Sequence, residues 1–487
     1  MDEEIFGIVE EILNKGYQID PKALNLLIIN KERINIKGII KEFIDKDKIF
    51  TKNIIKENDV KKILKNLGEN IYNQEVSELK FDDIKFEIMN DPTNKIMPIE
   101  GMKGFKKLFE SRYNKLMKIM RKRIEFNQIQ KNSYIKFNKH GNKYKVGGLV
   151  ISKNIRKKMT SLTIDDDTGK LDLLLINEKI GNKLNEILLD SLVAAKCYAN
   201  KRGNLILEDI YFPDIPDHAP NLLSKKVYVA MLSDIHIGSK TFLENSFKRF
   251  IEWVKNKKDI AKYLKYIIIC GDAVDGIGIY PGQEKDLLHL DLRLQYSILV
   301  KYLKQIPKNI HIFVSPGNHD PVRQSLPQPA IPKKFAFELY NMKNVSMIGN
   351  PSWIKINNVK ILVYHGNSIE DIIATTPGLS ADRPALAMKI MLKLRHLAPI
   401  YGRRTLLSPE SEDMLVIDDV PDIFHCGHMH VLDSDRYRNV LLLNSGTWQS
   451  QTDFQANMGI IPNPGITTLV DLSTLEVITR NFNDNFN

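Results

Sequence analysis

The sequence predicts a multidomain α/β plus β protein: an N-terminal helical module, a small β-barrel and a C-terminal α/β sandwich. Three observations carry this. The chain has 487 residues, room for two to four domains. Residues 132–220 read as short strands joined by tight polar turns. Its second half holds five short apolar runs that each end in a cluster drawn from Asp, Asn, His and Gly.

The bulk composition narrows the class of protein. The hydrophobic share of 43% supports proper cores, and 26% of residues are charged. A formal net charge of +11 favours a polyanionic partner or high solubility. Cys197, Cys270 and Cys426 are widely spaced in apolar runs, which fits free buried thiols in a reducing compartment. The start Met1-Asp2-Glu3-Glu4 lacks a basic leader, and no apolar run reaches bilayer-spanning length. The expected location is cytoplasmic, with no membrane association.

Residues 1–70 are expected to form a helical module. Ile5, Phe6, Val9, Ile12 and Leu13 keep helical spacing, and Asp20-Pro21 reads as a cap followed by a first-turn proline. Residues 71–100 read as a linker broken at Asn90-Asp91-Pro92. Residues 101–131 predict an amphipathic basic helix. Its apolar stripe runs from Phe105 through Leu108, Tyr113, Leu116 and Met117 to Met120. The opposite face carries Lys106, Lys107, Arg112, Lys115, Lys118 and Arg121, either solvated or touching nucleic-acid phosphate. Residues 132–220 predict an OB-type barrel, with hairpin turns at Asp166-Asp167-Thr168-Gly169 and Lys201-Arg202-Gly203-Asn204. Lys153, Arg156, Lys157 and Lys158 crowd one inter-strand loop of it. Pro213, Pro216 and Pro220 then mark a boundary, and residues 221–487 form the last domain.

In that domain Val227 to Leu232, Tyr266 to Cys270, Ile310 to Val314, Ile361 to Tyr364 and Ile423 to Cys426 predict buried strands. Helical segments lie between some of them, at Phe247 to Tyr263 and Leu287 to Leu303. Each strand runs into a polar cluster: Asp234-Ile235-His236, Gly271-Asp272, Gly317-Asn318-His319-Asp320, His365-Gly366-Asn367 and Gly427-His428-Met429-His430. Ligand sites gather beyond the carboxyl ends of strands in open α/β sheets, so the clusters are expected to converge.

Asp, Asn and neutral His form a hard-to-borderline donor set, suited to manganese, iron or zinc more than magnesium. Two divalent ions, manganese the expected pair, would polarise a phosphoryl oxygen and activate water. His319, beside Asn318, is the candidate proton donor to a departing alkoxide, and Asp320 the candidate group that orients it.

The ordered set DxH, GD, GNH[DE], H and GHxH resembles the calcineurin-like metallophosphoesterase family, whose elements all stand in residues 227–446. The resemblance implies that Asp234, His236, Asp272 and His430 hold one ion. Asp272 would bridge to a second, held with Asn318, His365 and His428. Further segments are similar to the small-subunit family of archaeal family D DNA polymerases: Tyr280-Pro281-Gly282-Gln283-Glu284, Pro327-Gln328-Pro329-Ala330, Arg395-His396-Leu397-Ala398-Pro399 and Asn444-Ser445-Gly446-Thr447-Trp448-Gln449. That resemblance implies a 3′-to-5′ proofreading exonuclease acting on single-stranded or mismatched DNA 3′ ends. It also implies a large polymerase subunit as partner, with residues 1–70 free to dock a sliding clamp or another protein. A catalytically idle scaffold subunit and another metallophosphoesterase, such as a repair nuclease, are the competing expectations. His140, His218, His289 and His311 stand outside any motif and are read as structural, and His425 as a core or supporting residue. His396 is assigned either to a DNA- or partner-facing loop or to a structural one.

Overall fold

In a computed structural model, residues 18–20, 54–55, 84–137, 143–156, 159–176, 180, 183–257, 259–457 and 459–483 are described. The chain divides into two units, Met1–Ile84 and Lys85–Asn487. In the first, Gln18–Ile19 pairs in parallel with Ile54–Ile55. The helices expected within 1–70 lie outside the described residues. No helix among the described residues is long and apolar enough to cross a membrane.

The second unit departs at once from the expected linker. Within that segment, Phe86–Asn90 (β1) forms a strand antiparallel to Ser352–Ile356. Five residues with mostly exposed side chains give too weak an alternation to be recognised locally; a partner more than 250 residues away supplies the pairing. The breaker follows directly, with the Asp91 carboxylate accepting the Thr93 N–H at 2.7 Å.

Helix α1, Gly101–Arg121, is the predicted amphipathic helix, but its polar face is not uniformly solvated. Leu108, Tyr113, Leu116, Met117 and Met120 are buried as the stripe requires. Arg112 is buried too, its Nε donating to Asp413 Oδ2 at 2.8 Å and its Nη1 to the Pro399 carbonyl at 2.7 Å. Lys115 donates to the Asp413 carbonyl at 2.9 Å. Helical spacing sorts residues by face and cannot see that an acidic loop covers part of that face.

After a short helix, Asn132–Phe137 (α2), the next five strands close a barrel. They are Lys143–Arg156 (β2), Met159–Asp166 (β3), Gly169–Leu175 (β4), Leu192–Ala199 (β5) and Leu205–Tyr211 (β6), in the order β2-β3-β4-β6-β5. Val146, Leu162, Ile164, Leu173, Val193 and Ala195 fill its inside. The β3–β4 turn is locally encoded: Asp166 Oδ1 accepts the N–H groups of Thr168 and Gly169 at 2.7 and 3.0 Å. Lys153, expected in an inter-strand loop, instead lies on β2 and donates to the Leu184 and Ile187 carbonyls at 3.1 and 2.7 Å.

The remaining chain is an α/β sandwich of two six-stranded sheets. The first orders Val345–Met347 (β10), His311–Ser315 (β9), Leu264–Cys270 (β8), Tyr228–Leu232 (β7), Ile466–Asp471 (β16) and Val477–Asn481 (β17). The second orders Asp433–Tyr437 (β14), Val440–Asn444 (β15), Ile423–Cys426 (β13), Val359–Val363 (β12), Ser352–Ile356 (β11) and β1. Strands β7, β8 and β9 run parallel, as do β12 and β13, so each group ends at one side. Helices Glu244–Asn256 (α3), Leu292–Leu303 (α4) and Lys333–Tyr340 (α5) connect strands of the first sheet. Pro384–Leu394 (α7), which follows the short helix Ile369–Thr375 (α6), joins the second sheet and the barrel in one apolar core. Helix α4 begins later than its apolar pattern suggested, because the Asp291 side chain caps it by accepting the Leu294 N–H at 2.9 Å.

Candidate metal centre

The strand ends of both sheets meet where the five clusters lie. Cross-sheet hydrogen bonds set the meeting point: His365 Nδ1 donates to the Cys270 carbonyl at 2.7 Å, and the His428 N–H donates to Asp234 Oδ2 at 2.9 Å. Glycines make the approach possible. A Cβ on Gly317 would stand 2.2 Å from Asp272 Oδ1, so room rather than unusual torsion demands glycine there. Gly271 needs both, with φ at +90° and a Cβ that would meet His365 Nδ1 at 2.3 Å. Asp234, His236, Asp272, His428 and His430 all hold positive φ. That backbone strain persists because the surrounding hydrogen bonds over-determine it, and it clusters at functional sites.

Besides the set His236, Asp275 and His319, two sets of donor atoms converge, each with all its atoms within 4.8 Å of one another: Asp234, His236 and His430, and Asp272, His365 and His428. Asp272 Oδ2 stands between them, 3.3 Å from His365 Nε2 and 3.9 Å from His236 Nε2. Asn318 Oδ1 is 3.0 Å from His365 Nε2. Asp234 Oδ1 is buried without a hydrogen-bond partner, 3.2 Å from His430 Nε2. An orphaned carboxylate oxygen among imidazole nitrogens suits a divalent cation.

The ring nitrogens are directed from behind. Nδ1 of His236 lies 2.8 Å from Asp275 Oδ1, and Nδ1 of His365 is taken by a carbonyl, which turns each Nε2 inward. The Gln455 amide lies 2.7 Å from His430 Nδ1. The charges are tightly coupled. Burial opposes ionisation of Asp234, but His430 and His236 outweigh it and hold the carboxyl well below the usual range. Burial likewise works against a charged His365, yet Asp272 and Asp234 raise it to about 9. A field that holds a proton so firmly favours other cations by the same attraction. Burial pulls His428 and His430 down, as neutral ligand imidazoles require.

His319 is half-buried at the edge of this cluster, its ring centroid 4.7 Å from that of His236. The expectation that Asp320 orients it is corrected. His319 Nδ1 donates to the Asp275 carbonyl at 2.8 Å, with the Asp275 carboxylate 3.7 Å away. Asp320 faces the other way, accepting from the Gly317 N–H at 2.9 Å and the Tyr296 hydroxyl at 2.6 Å. Burial, then the nearby Asp272 carboxylate, push Asp320 up. Asn318, His319 and Asp320 lie in a bend after the strand, so adjacency in the chain does not set one side chain beside the next, and that defeated the assignment.

Sequence reasoning also missed the groups that hold the cluster. Gln283 donates to the Asp275 carbonyl at 2.9 Å, and the Gln449 amide reaches Asp275 Oδ1 at 3.4 Å. Asn350 accepts the His365 N–H at 3.0 Å and donates to Gln328 at 2.7 Å, and Gln328 donates to the Gly317 carbonyl at 3.2 Å. The available signal was that Gln283, Gln328 and Gln449 sit in the flanking segments that carry the family resemblance.

Comparison with known proteins finds relatives of one kind by sequence. The family of B subunits of DNA polymerases alpha and epsilon matches residues 229–431. The DNA polymerase II small subunit of Archaeoglobus fulgidus is 38% identical over 477 residues, spanning 94% of this chain and 94% of that protein. That of Pyrococcus furiosus is 39% identical over 419 residues, 82% of this chain and 68% of the relative. That of Methanothermobacter thermautotrophicus is 36% identical, covering 81% and 83%. Among solved structures, Vacuolar Protein Sorting 29 from Cryptosporidium parvum is 17% identical, covering 52% of this chain and 96% of its own, with a TM-score of 0.26. A chain whose strand-end histidines and aspartates converge in this way, and which matches one such relative over 94% of both lengths, belongs to the small-subunit family of archaeal DNA polymerase II.

Proposed function

We propose that this chain is the 3′-to-5′ proofreading exonuclease and assembly subunit of a two-subunit replicative DNA polymerase. The observation that carries the reading is the convergence of two His/Asp donor sets about the shared carboxylate of Asp272. The relatives' names supply the polymerase context, and the large subunit is the partner they imply. Asp234, His236 and His430 would hold one divalent ion and Asn318, His365 and His428 the other, with Asp272 between them. The ions, manganese the expected pair, would supply charge neutralisation at phosphorus and activation of water.

The chain's own side chains do the rest. His319, held through Nδ1, offers Nε2 to the oxygen that leaves the cleaved phosphodiester and gives it a proton. Asp275 fixes both His236 and His319, which keeps a ligand and the proton donor in one register. The buried aspartates confine the reacting group to a site where electrostatic contacts are strong.

The test is hydrolysis of a 3′-labelled single strand in manganese by wild type and Asp272→Asn, each alone and with the large subunit. Release of mononucleotides by wild type and at least ~1000-fold less by the variant is expected. An untouched strand in every wild-type reaction ends the exonuclease reading. The idle-scaffold reading would then stand, supported by the apolar core that the barrel shares with the second sheet.

A further inference from the structure

A cavity of about 670 Å³ lies between α4 and α5. Arg293, Tyr296, Lys333, Lys334, Phe335 and Phe337 line it. We propose that this cavity seats an unpaired nucleotide of the DNA strand whose 3′ end lies at the metal centre. The inference rests on the reading of DNA as substrate.

The lining combines the two features that single-strand binding needs, cations for phosphate and aromatic faces for bases. Lys333 Nζ lies 5.3 Å from the Phe337 ring centroid, and Lys334 Nζ 4.8 Å from that of Phe335. A base can take the ring face while the lysine moves to the adjoining phosphate. Arg293, Lys333, Lys334 and Phe337 are exposed, so ligand can reach them. The wall's carboxylate, Glu338, is paired with Lys304 at 2.6 Å, which leaves the three cations in excess. The volume falls in the range of about 300–1,000 Å³ typical of small-molecule sites.

The cavity is joined to the chemistry. Tyr296 lines it and donates to Asp320, which accepts the Gly317 N–H next to Asn318 and His319. Exposed Leu290 and Leu294 continue the apolar surface beside Arg293, along a loop whose Leu288 N–H donates to the Gly238 carbonyl two residues after His236. Hydrogen bonds thus tie the cavity wall to the loops that carry Asn318, His319 and His236.

The test uses the full chain and a labelled single-stranded oligonucleotide. Binding is followed by anisotropy in EDTA, so that it is read without cleavage. Lys333→Gln/Lys334→Gln is expected to raise Kd about tenfold and to lower the salt slope by about 1. In manganese, replacing one nucleotide near the 3′ end by an abasic sugar is expected to cost wild type about tenfold in kcat/KM, scanned by position. Phe337→Ala should lose that discrimination. Unchanged Kd and salt slope in the lysine variant, or an abasic penalty equal in Phe337→Ala and wild type, overturns the proposal while wild-type cleavage leaves the exonuclease reading intact. A wild type that neither binds nor cleaves the strand overturns both. Variants that keep DNA binding but lose the large subunit on co-purification mark a protein interface instead and also overturn it.

Discussion

Two buried charge clusters in this molecule are built from the same residue types and differ in what completes them. At the junction of α1 with the loops after α7, Asp413 accepts from Arg112 Nε at 2.8 Å and lies 3.0 Å from His396 Nε2, while His396 Nδ1 accepts the Ala398 N–H at 3.0 Å. The guanidinium cancels the carboxylate, and the imidazole stays neutral: burial, then Arg112, pull His396 down to about 4. At the candidate metal centre the charged partners of Asp234, Asp272 and Asp275 are imidazoles, with backbone N–H groups and glutamine amides as further donors. No Lys or Arg forms an ion pair with those three among the described residues, and Asp234 Oδ1 remains unpartnered. The first cluster pairs its charges internally, leaving Arg112 Nη2 buried without a hydrogen-bond partner but no carboxylate oxygen so, and fastens the fold. The second leaves a buried carboxylate oxygen that a cation could meet. His396 therefore takes the structural of its two expected roles.

Substitutions separate the two clusters. The largest effect is expected at the open one. His365→Ala should lower exonuclease activity at least ~1000-fold while the circular dichroism spectrum and melting temperature stay close to wild type. A variant that unfolds instead would place His365 with the structural cluster.

Arg112→Met should do the reverse. It strands a buried carboxylate and is expected to cost about 3–5 kcal/mol in urea unfolding, with residual folded protein still binding manganese. A loss below about 1 kcal/mol would show that the junction does not depend on the pair.

The third effect is pH dependence. His396 titrates near its ordinary 6.5 when unfolded and at about 4 when folded, so the unfolded chain binds more protons between those values. Stability should therefore fall as pH drops from about 6.5 towards 4, by roughly 3 kcal/mol from this group. His396→Gln should flatten that part of the profile, and an unchanged slope in the variant would remove His396 as its source.

Manganese at about 100 times its Kd should add roughly 2.7 kcal/mol to wild-type stability. It should add little to Asp234→Asn, as read by melting temperature. The smallest effect belongs to Tyr296→Phe, which removes the hydroxyl on Asp320 and should cost about 1–2 kcal/mol with a partial loss of activity. Equal manganese stabilisation in Asp234→Asn and wild type would argue that the two clusters are alike after all.

Much of this was legible in the chain because it is local. The Asp166-to-Gly169 turn, the buried strands and the ligand types at their ends follow from a few neighbouring residues each. The glutamines that hold Asp275 and the Gly317 loop were visible only as flanking resemblance, since an amide has no spacing that announces a partner.

What the sequence by itself determined is the inventory and order of the chemistry: which atoms are offered as ligands, and that each stands at the end of a strand. Tertiary structure alone decided the pairings. It turned Asp275 rather than Asp320 towards His319, drew Arg112 inside against a carboxylate 301 residues away, and set β1 on the edge of the second sheet. The physical reason is the same in each case. Side-chain type is fixed by the gene, but the partner of a buried charge or an edge strand is set by which distant surface the packed core brings against it.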